Sequence, residues 1–163
     1  DQWPEADPYV SILAYCLMDN HFHFLLKERK EGGVSKFMQR LGTSMSAYFN
    51  AKYGEGGTLF EGSYFARTIH SDTQLQYVAA YIHVKNPFER YPGGFQTAAE
   101  QFDKAFAWAM EDPFCGLGES SSILDTNEIR YILKGNDQFR RFAYDVIRGR
   151  IGTDTNILID IDT

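Results

Sequence analysis

The sequence predicts an α+β fold, in which a short antiparallel sheet is followed by helices. Two observations support this class. An apolar run at residues 9–18 and an alternating run at residues 21–28 are typical of strands, and apolar side chains recur at helical spacing over residues 34–49 and 75–82. A chain of 163 residues with 44% hydrophobic and 15% aromatic content is large enough for one globular domain.

A hairpin is predicted at the start of this fold. The run YVSILAYCLM, residues 9–18, is apolar and rich in residues that favour strands, and the run HFHFLLKE, residues 21–28, alternates in polarity. Asp19 and Asn20 lie between the two runs and are typical turn residues. The two strands are therefore expected to pair directly.

Two helices and a third strand are predicted to follow the hairpin. The glycines of residues 31–33 end the strand pattern, and an amphipathic helix then extends to the sequence YGEGG. Residues 62–70 are expected to form the third strand. Ser71 or Asp72 then caps a second helix, which Pro87 is expected to stop.

The C-terminal part is predicted to be a separate helical extension. A Pro/Gly segment at residues 91–94 indicates a linker, and we place a domain boundary near Gly93, between residues 1–92 and 93–163. Short helices are predicted around residues 98–110, 127–133 and 138–148. The closing TNILIDIDT is expected to be a frayed end or a short strand.

The composition excludes several classes of protein. The longest apolar run is far shorter than the roughly 20 residues that span a bilayer, and no signal-peptide pattern opens the sequence. We therefore expect a cytoplasmic protein with no membrane partner. Cys16 and Cys115 show no CxxC spacing, which excludes a zinc finger and predicts two reduced thiols, Cys16 being packed in the core.

The charge distribution gives a local indication of a phosphate-binding surface. The net charge of −6 does not by itself favour nucleic-acid binding, and most of the acidic excess lies in residues 93–163. Residues 27–40, however, contain five basic and two acidic side chains. The residues predicted to bind phosphates are Lys27, Arg29, Lys30, Lys36 and Arg40. A solvated charged face is the alternative interpretation of these residues.

Two histidines on the second strand outline a metal site. Residues two apart on a strand project from the same face, so His21 and His23 present their rings together while Phe22 and Phe24 face the opposite side. The alternative is that two polar rings lie on the wetter face of the sheet, because a metal site needs a third ligand.

The second helix carries a polar stripe with two tyrosines. At about 100° per residue, Gln74, Tyr77, Tyr81 and Lys85 share one side of the helix, and this stripe is expected to face out of the core. A tyrosine hydroxyl beside a divalent cation is a plausible nucleophile for a phosphodiester. Amphipathic packing is the alternative role of each tyrosine.

Three sequence elements in this order resemble one family. They are LAYCLMDNHFHFLLK, GVSKFMQRLGTSMSAYFNAKY and GTLFEGSYFARTIHSDTQLQYVAAYIHVKNPFE. Together they are similar to the HUH single-tyrosine transposases, in the branch of the REP-associated transposases, which show MPNHxH, GTLFQGRF and YIHxNP motifs. The resemblance covers roughly residues 9–89.

This resemblance implies a ferredoxin-like antiparallel sheet with helices on one face, acting as a homodimer on single-stranded DNA that carries a hairpin. His21 and His23 would hold Mg²⁺ or Mn²⁺. Tyr81 would attack the scissile phosphate and form a 5′-phosphotyrosine. We add Arg67 and Lys85 to the residues predicted to bind DNA.

Two departures from the family pattern bear on the site and the fold. YIHVKNP has one residue more than YIHxNP, so the third predicted ligand, Asn86, lies five positions after Tyr81. A π-bulge would return Asn86 to the stripe; otherwise Gln74, His83 or water would complete the shell. Twenty residues precede His21, fewer than the family's first strand and helix require. The chain is thus expected to be N-terminally short, as a piece of a longer protein or with the gap covered by a dimer partner.

Three functional hypotheses follow. The first is an active transposase that cuts and rejoins DNA through Tyr81. The second is a degenerate or domesticated relative that binds DNA hairpins without cleavage, for which binding would depend strongly on salt. The third is a metal-binding protein unrelated to nucleic acids, which only the acidic pI of about 5.2 favours.

Overall fold

The computed structural model of the chain describes residues 7–118, 123–125, 127–128 and 136–149. These residues form a two-stranded antiparallel sheet followed by helices, which confirms the α+β class and the helical C-terminal part. In chain order the elements are β1 (Val10–Leu17), β2 (Phe22–Glu28), α1 (Gly33–Tyr53), α2 (Asp72–Ala80), a π turn (Tyr81–Lys85), α3 (Asn86–Arg90), α4 (Gly94–Glu100), α5 (Phe102–Glu111) and α6 (Asn136–Ile147).

The predicted hairpin of β1 and β2 is confirmed. The backbone N–H of Met18 donates to the carbonyl of His21 at 2.9 Å and closes the turn that the Asp-Asn pair predicts. On β2, the rings of Phe22 and Phe24 lie together with centroids 5.2 Å apart. This pairing is the alternation expected of a strand, and it assigns the two histidines of this segment to the other face.

Helix α1 has glycines at both ends. Gly32 precedes it with φ +69°, and Gly54 follows it with φ +70° and donates its N–H to the carbonyl of Asn50 at 2.9 Å. Only glycine adopts such left-handed backbone at little cost, which explains why the helix ends at the predicted YGEGG sequence. Within α1 only Gly33 is buried.

The third predicted strand does not form. Residues 62–68 do not form a strand, and they are exposed. The preceding segment instead runs along α1: the Leu59 N–H donates to the Ser46 hydroxyl at 3.1 Å, and the Asn50 amide donates to the Gly57 carbonyl at 2.9 Å. Strand propensity alone does not fix a strand, because cross-strand side-chain pairs and a shared ladder supply most of its stability.

The second helical region is longer than the sequence predicts. Ser71 is its N-cap and accepts a hydrogen bond from the Gln74 N–H at 3.2 Å, as expected for one of the two candidate caps. The prediction that Pro87 stops the helix is wrong, because the helix continues to Arg90. The π turn starts a new hydrogen-bond register, and Pro87 lies in the first turn of α3, where a missing N–H costs little.

The chain divides into two compact units. The first contains residues 7–11 and 26–68, and the second contains residues 12–25 and the described residues from 69 onward. Helices α4, α5 and α6 agree with the segments predicted around residues 98–110 and 138–148. Most of the helix predicted at residues 127–133, and the closing TNILIDIDT, lie outside the described residues. The boundary near Gly93 stays a prediction.

The core of the second unit includes both cysteines. Cys16 and Cys115 are buried free thiols, and their residues form an isolated antiparallel bridge. Their mutual hydrogen bond lowers the pKa of Cys16, and the same interaction together with burial raises the pKa of Cys115. Cys16 is fully buried in the core, as predicted. Among the described residues, no helix has both the length and the apolar character needed to cross a bilayer.

Candidate active site

The two histidines of the hairpin lie together at the end of the turn. The ring centroids of His21 and His23 are 4.9 Å apart at an interplanar angle of 88°. Nδ1 of His21 is 2.7 Å from the side-chain oxygen of Asn20, which favours the tautomer with the proton on Nδ1 and the lone pair on Nε2. Asn20 was predicted from the sequence only as a turn residue, and its role in orienting a histidine was missed.

Tyr81 lies next to this pair. Its ring centroid is 6.0 Å from that of His23, in an edge-to-face arrangement. Strand β2 and the first residue of the π turn therefore bring His23 and Tyr81, two of the predicted site residues, into contact. Tyr81 is 7% exposed and Tyr77 is 9% exposed, so the prediction that their stripe faces out of the core is wrong for both. The ring of His23 and the Nζ of Lys85 both lie against the Tyr81 ring.

The π turn places Asn86 one helical turn after Tyr81. The backbone N–H of Asn86 donates to the carbonyl of Tyr81, a bond between residues five apart. An ordinary α-helix would pair residues four apart, so the additional residue of YIHVKNP is accommodated by the wider turn. The π-bulge, one of the alternatives that the sequence left open, is therefore present.

The Asn86 side chain has an unsatisfied polar atom. Asn86 is 2% exposed, and its Nδ2 has no hydrogen-bond partner among the described residues. Such a group costs free energy unless something satisfies it. A flip of the amide would put Oδ1, an acceptor and potential metal ligand, in the same position. An unsatisfied buried amide is thus compatible with a ligand that the protein alone does not supply.

Lys85 occupies the position four residues after Tyr81. Its Nζ donates to the Tyr81 hydroxyl at 3.0 Å and to a Glu89 carboxylate oxygen at 3.1 Å. Burial alone would lower the pKa of Lys85, but the hydrogen bonds to Tyr81 and Glu89 outweigh it, so the pKa lies above its ordinary value. Glu89 was missed from the sequence, although its i,i+4 spacing from Lys85 is a recognisable signal.

His83 lies in the core, away from the solvent. It is 1% exposed, its ring packs against Phe139 at 6.3 Å, and its Nδ1 is 4.0 Å from the Cys115 sulfur. Desolvation lowers its pKa to about 4, although a backbone hydrogen bond with Leu13 acts in the opposite direction. These interactions describe a neutral packing residue.

The buried His83 should make stability depend on pH. Between pH 6.5 and about 4 the unfolded chain binds a proton at this residue and the folded chain does not, so the free energy of unfolding falls as the pH falls through this window. The expected loss is about 3 kcal/mol, measurable as urea midpoints. His83→Gln should remove this part of the decline, while His70→Gln, at an exposed residue, should keep it. Identical profiles for His83→Gln and the parent would contradict the prediction.

Most of the residues predicted to bind DNA belong to the first unit. Arg29 donates to the Ser11 hydroxyl at 2.7 Å, and Lys27 is exposed at the end of β2. Arg67 lies 5.3 Å from the centroid of the Phe65 ring, which is 68% exposed. Three further cations of this set, Lys30, Lys36 and Arg40, converge on the ring of Tyr9.

Comparisons with known proteins agree with the class of protein that the sequence motifs indicate. Residues 6–85 match a family model described as "Transposase IS200 like". The matched segment contains the hairpin histidines and Tyr81. No curated protein and no solved structure gives a match.

The match places the chain in the transposase class of proteins. It belongs to the IS200-like transposase family. The REP-associated branch stays a prediction.

Proposed function

We propose that the protein cleaves and rejoins single-stranded DNA through a covalent bond to Tyr81. The observation that carries this proposal is the π turn, which compensates for the longer YIHVKNP motif. It keeps Asn86 one turn after Tyr81, while His23 packs against the Tyr81 ring. One hairpin and one helical segment thus provide a nucleophile, a histidine pair and, as a third ligand, an amide oxygen.

Tyr81 is the proposed nucleophile. Its hydroxyl oxygen forms a bond to the phosphorus as the bond from phosphorus to the 3′ oxygen breaks; the tyrosine loses its proton and the departing 3′ hydroxyl gains one. The DNA 5′ end is left on Tyr81 as a phosphotyrosine. Rejoining is the reverse reaction with the 3′ hydroxyl of another strand. Lys85 holds the Tyr81 hydroxyl through its hydrogen bond at 3.0 Å.

His21, His23 and Asn86 are the proposed ligands of a divalent cation. Among the described residues no group of three His, Cys, Asp or Glu side chains converges, and we propose an amide oxygen as the third ligand. The unsatisfied Asn86 amide would provide that oxygen. When bound, Mg²⁺ or Mn²⁺ would supply charge stabilisation at the phosphoryl oxygens.

The proposed partners follow from the same family. We propose that the protein acts on DNA with a hairpin near the cleavage site, as a homodimer in the cytoplasm. The exposed apolar side chains of α1, among them Tyr48 at 67% and Tyr53 at 57%, support an additional interaction surface.

The experiment that tests this function is covalent capture. Labelled single-stranded DNA from the flanks of the gene is mixed with the protein and Mn²⁺, and denaturing gels are examined for a protein–DNA adduct. The expected result is an adduct that disappears with chelator. DNA binding without any adduct would instead favour the relative that binds hairpins without cleavage. Absence of both would support a protein unrelated to nucleic acids.

Removing a histidine should weaken metal binding and, with it, adduct formation. His23→Ala is expected to reduce adduct formation by at least ~100-fold and to weaken Mn²⁺ binding to a similar extent, because removing a ligand costs no less than removing a group that orients one. His70→Ala, at an exposed histidine outside the site, is the matched control and should behave as the parent. A His23→Ala protein with full Mn²⁺-dependent adduct formation would contradict the proposed ligand set.

A further inference from the structure

Three cationic side chains surround one aromatic ring in the first unit. Nζ of Lys30 is 5.2 Å, Nζ of Lys36 is 5.3 Å and Cζ of Arg40 is 5.0 Å from the centroid of the Tyr9 ring. We call these four residues the Tyr9 cluster. Lys36 and Arg40 are exposed, and Lys30 is 37% exposed at its side chain. The charged groups are thus accessible to a ligand.

The backbone builds this cluster by a close approach of α1 to residue 9. The carbonyl of Tyr9 accepts the Arg29 N–H at 2.9 Å. A Cβ atom on Gly33 would lie 2.3 Å from the same carbonyl oxygen, so only glycine fits at the start of the helix. Lys36 and Arg40 follow one turn apart and therefore share one side of α1. The backbone contact between α1 and residue 9 therefore determines where the cations lie.

The cluster retains a surplus of positive charge. All three cations lie within about 5 Å of one ring centroid, so each is within about 10 Å of the others, a separation at which salt does not fully screen repulsion. Across the described part of the chain, Asp7 is the one carboxylate recorded in an ion pair with them, through Lys30. The Glu28 carboxylate accepts the Val34 N–H at 3.0 Å. The Tyr9 ring is neutral, so its contacts with the three cations leave the surplus of positive charge unchanged.

We propose that the Tyr9 cluster is a binding site for the phosphodiester backbone of DNA. Lys30, Lys36 and Arg40 bind neighbouring phosphates, and the Tyr9 ring holds the three cations in place. This chemistry suits a ligand with regularly spaced negative charges, whereas a single carboxylate would satisfy only one of the three. The inference rests on the proposed function, because it assumes DNA as the substrate.

The test is the salt dependence of DNA binding in EDTA, where no cleavage occurs. Fluorescence anisotropy is measured from 50 to 200 mM KCl with an unpaired oligonucleotide and with a hairpin. In the double variant Lys36→Gln/Arg40→Gln, the slope of log K against log salt should fall by about 0.7 for each unpaired-strand phosphate, or about 0.9 for each stem phosphate, that is no longer neutralised, and affinity at 50 mM should fall roughly tenfold or more. If the double variant binds both DNAs more weakly, the cluster binds the unpaired strand. If it binds only the hairpin more weakly, the cluster binds the stem.

Two further variants separate charge number from placement. Lys52→Gln removes a cation near the other end of α1, where it lies over Tyr48 and Tyr53, and should leave affinity and slope unchanged. Tyr9→Leu keeps all three charges and should weaken binding with little change in slope. An unchanged slope and affinity in the double variant, an equally large effect of Lys52→Gln, or no binding by the parent would overturn the proposal.

The outcome is distinguishable from that of the covalent capture experiment. If the parent protein forms the Mn²⁺-dependent adduct while the double variant binds DNA normally, the Tyr9 cluster is ruled out as a phosphate site and the proposed function is kept. If the parent protein binds DNA through the cluster in EDTA but forms no adduct, the nuclease function is ruled out and the phosphate site is kept.

Discussion

Tyr81→Phe is expected to lose the protein–DNA adduct entirely, a reduction of at least about 1,000-fold, while DNA binding in EDTA is retained. Phenylalanine keeps the ring that packs against His23 and removes only the oxygen that would bond to phosphorus. The hydrogen bond from Lys85 at 3.0 Å is lost with it. The measurement is the amount of denaturant-resistant adduct formed with Mn²⁺.

Tyr77→Phe is the matched control for this variant. Tyr77 lies one turn earlier on α2 and is 9% exposed, close to the 7% of Tyr81, so both changes remove one hydroxyl from a similarly buried ring. Full adduct formation by Tyr77→Phe together with none by Tyr81→Phe would identify the nucleophile. An adduct that survives in Tyr81→Phe would assign the covalent bond to another residue.

Local sequence signals predicted much of the second unit correctly. The Asp-Asn turn, the alternation of His and Phe on β2 and the Ser71 cap all depend on neighbouring residues, and the structure has each of them. The π turn was one of the alternatives that the family resemblance left open, because YIHVKNP has one residue more than the family motif and a wider turn accommodates it.

The features that the sequence did not predict depend on residues far apart along the chain. The segment around Phe65 has the composition of a strand, but the preceding residues hydrogen-bond to α1 side chains rather than to a ladder. Tyr81 is buried in the core and packs against His23, which comes from the hairpin. The Tyr9 cluster depends on the close approach of Gly33 to residue 9, for which helical periodicity gives no signal.

Asp112→Ala is expected to lower the free energy of unfolding by about 3 kcal/mol. Asp112 forms an ion pair with Arg90, and the side chains are 3% and 18% exposed. The other Asp112 oxygen accepts the Phe114 N–H at 3.0 Å, while Arg90 also donates to the Leu17 carbonyl at 2.8 Å. Removing the carboxylate would leave a largely buried guanidinium without its counter-charge, which is costlier than losing the attraction alone. Urea unfolding at pH 7 measures the effect.

A second ion pair in the same unit supplies the control. Asp103 pairs with Arg140, but their side chains are 79% and 44% exposed, so Asp103→Ala should cost less than about 1 kcal/mol. In an Arg90→Met background, Asp112→Ala should cost clearly less than it does in the parent, because no buried charge is left unpaired. Equal costs for Asp112→Ala in both backgrounds would show that the hydrogen bond with Phe114, rather than the ion pair, is what Asp112 contributes. The difference between the costs of Asp112→Ala in the two backgrounds therefore measures the coupling between Arg90 and Asp112. Through this coupling Arg90 connects α3 with the end of β1 and with the segment after α5.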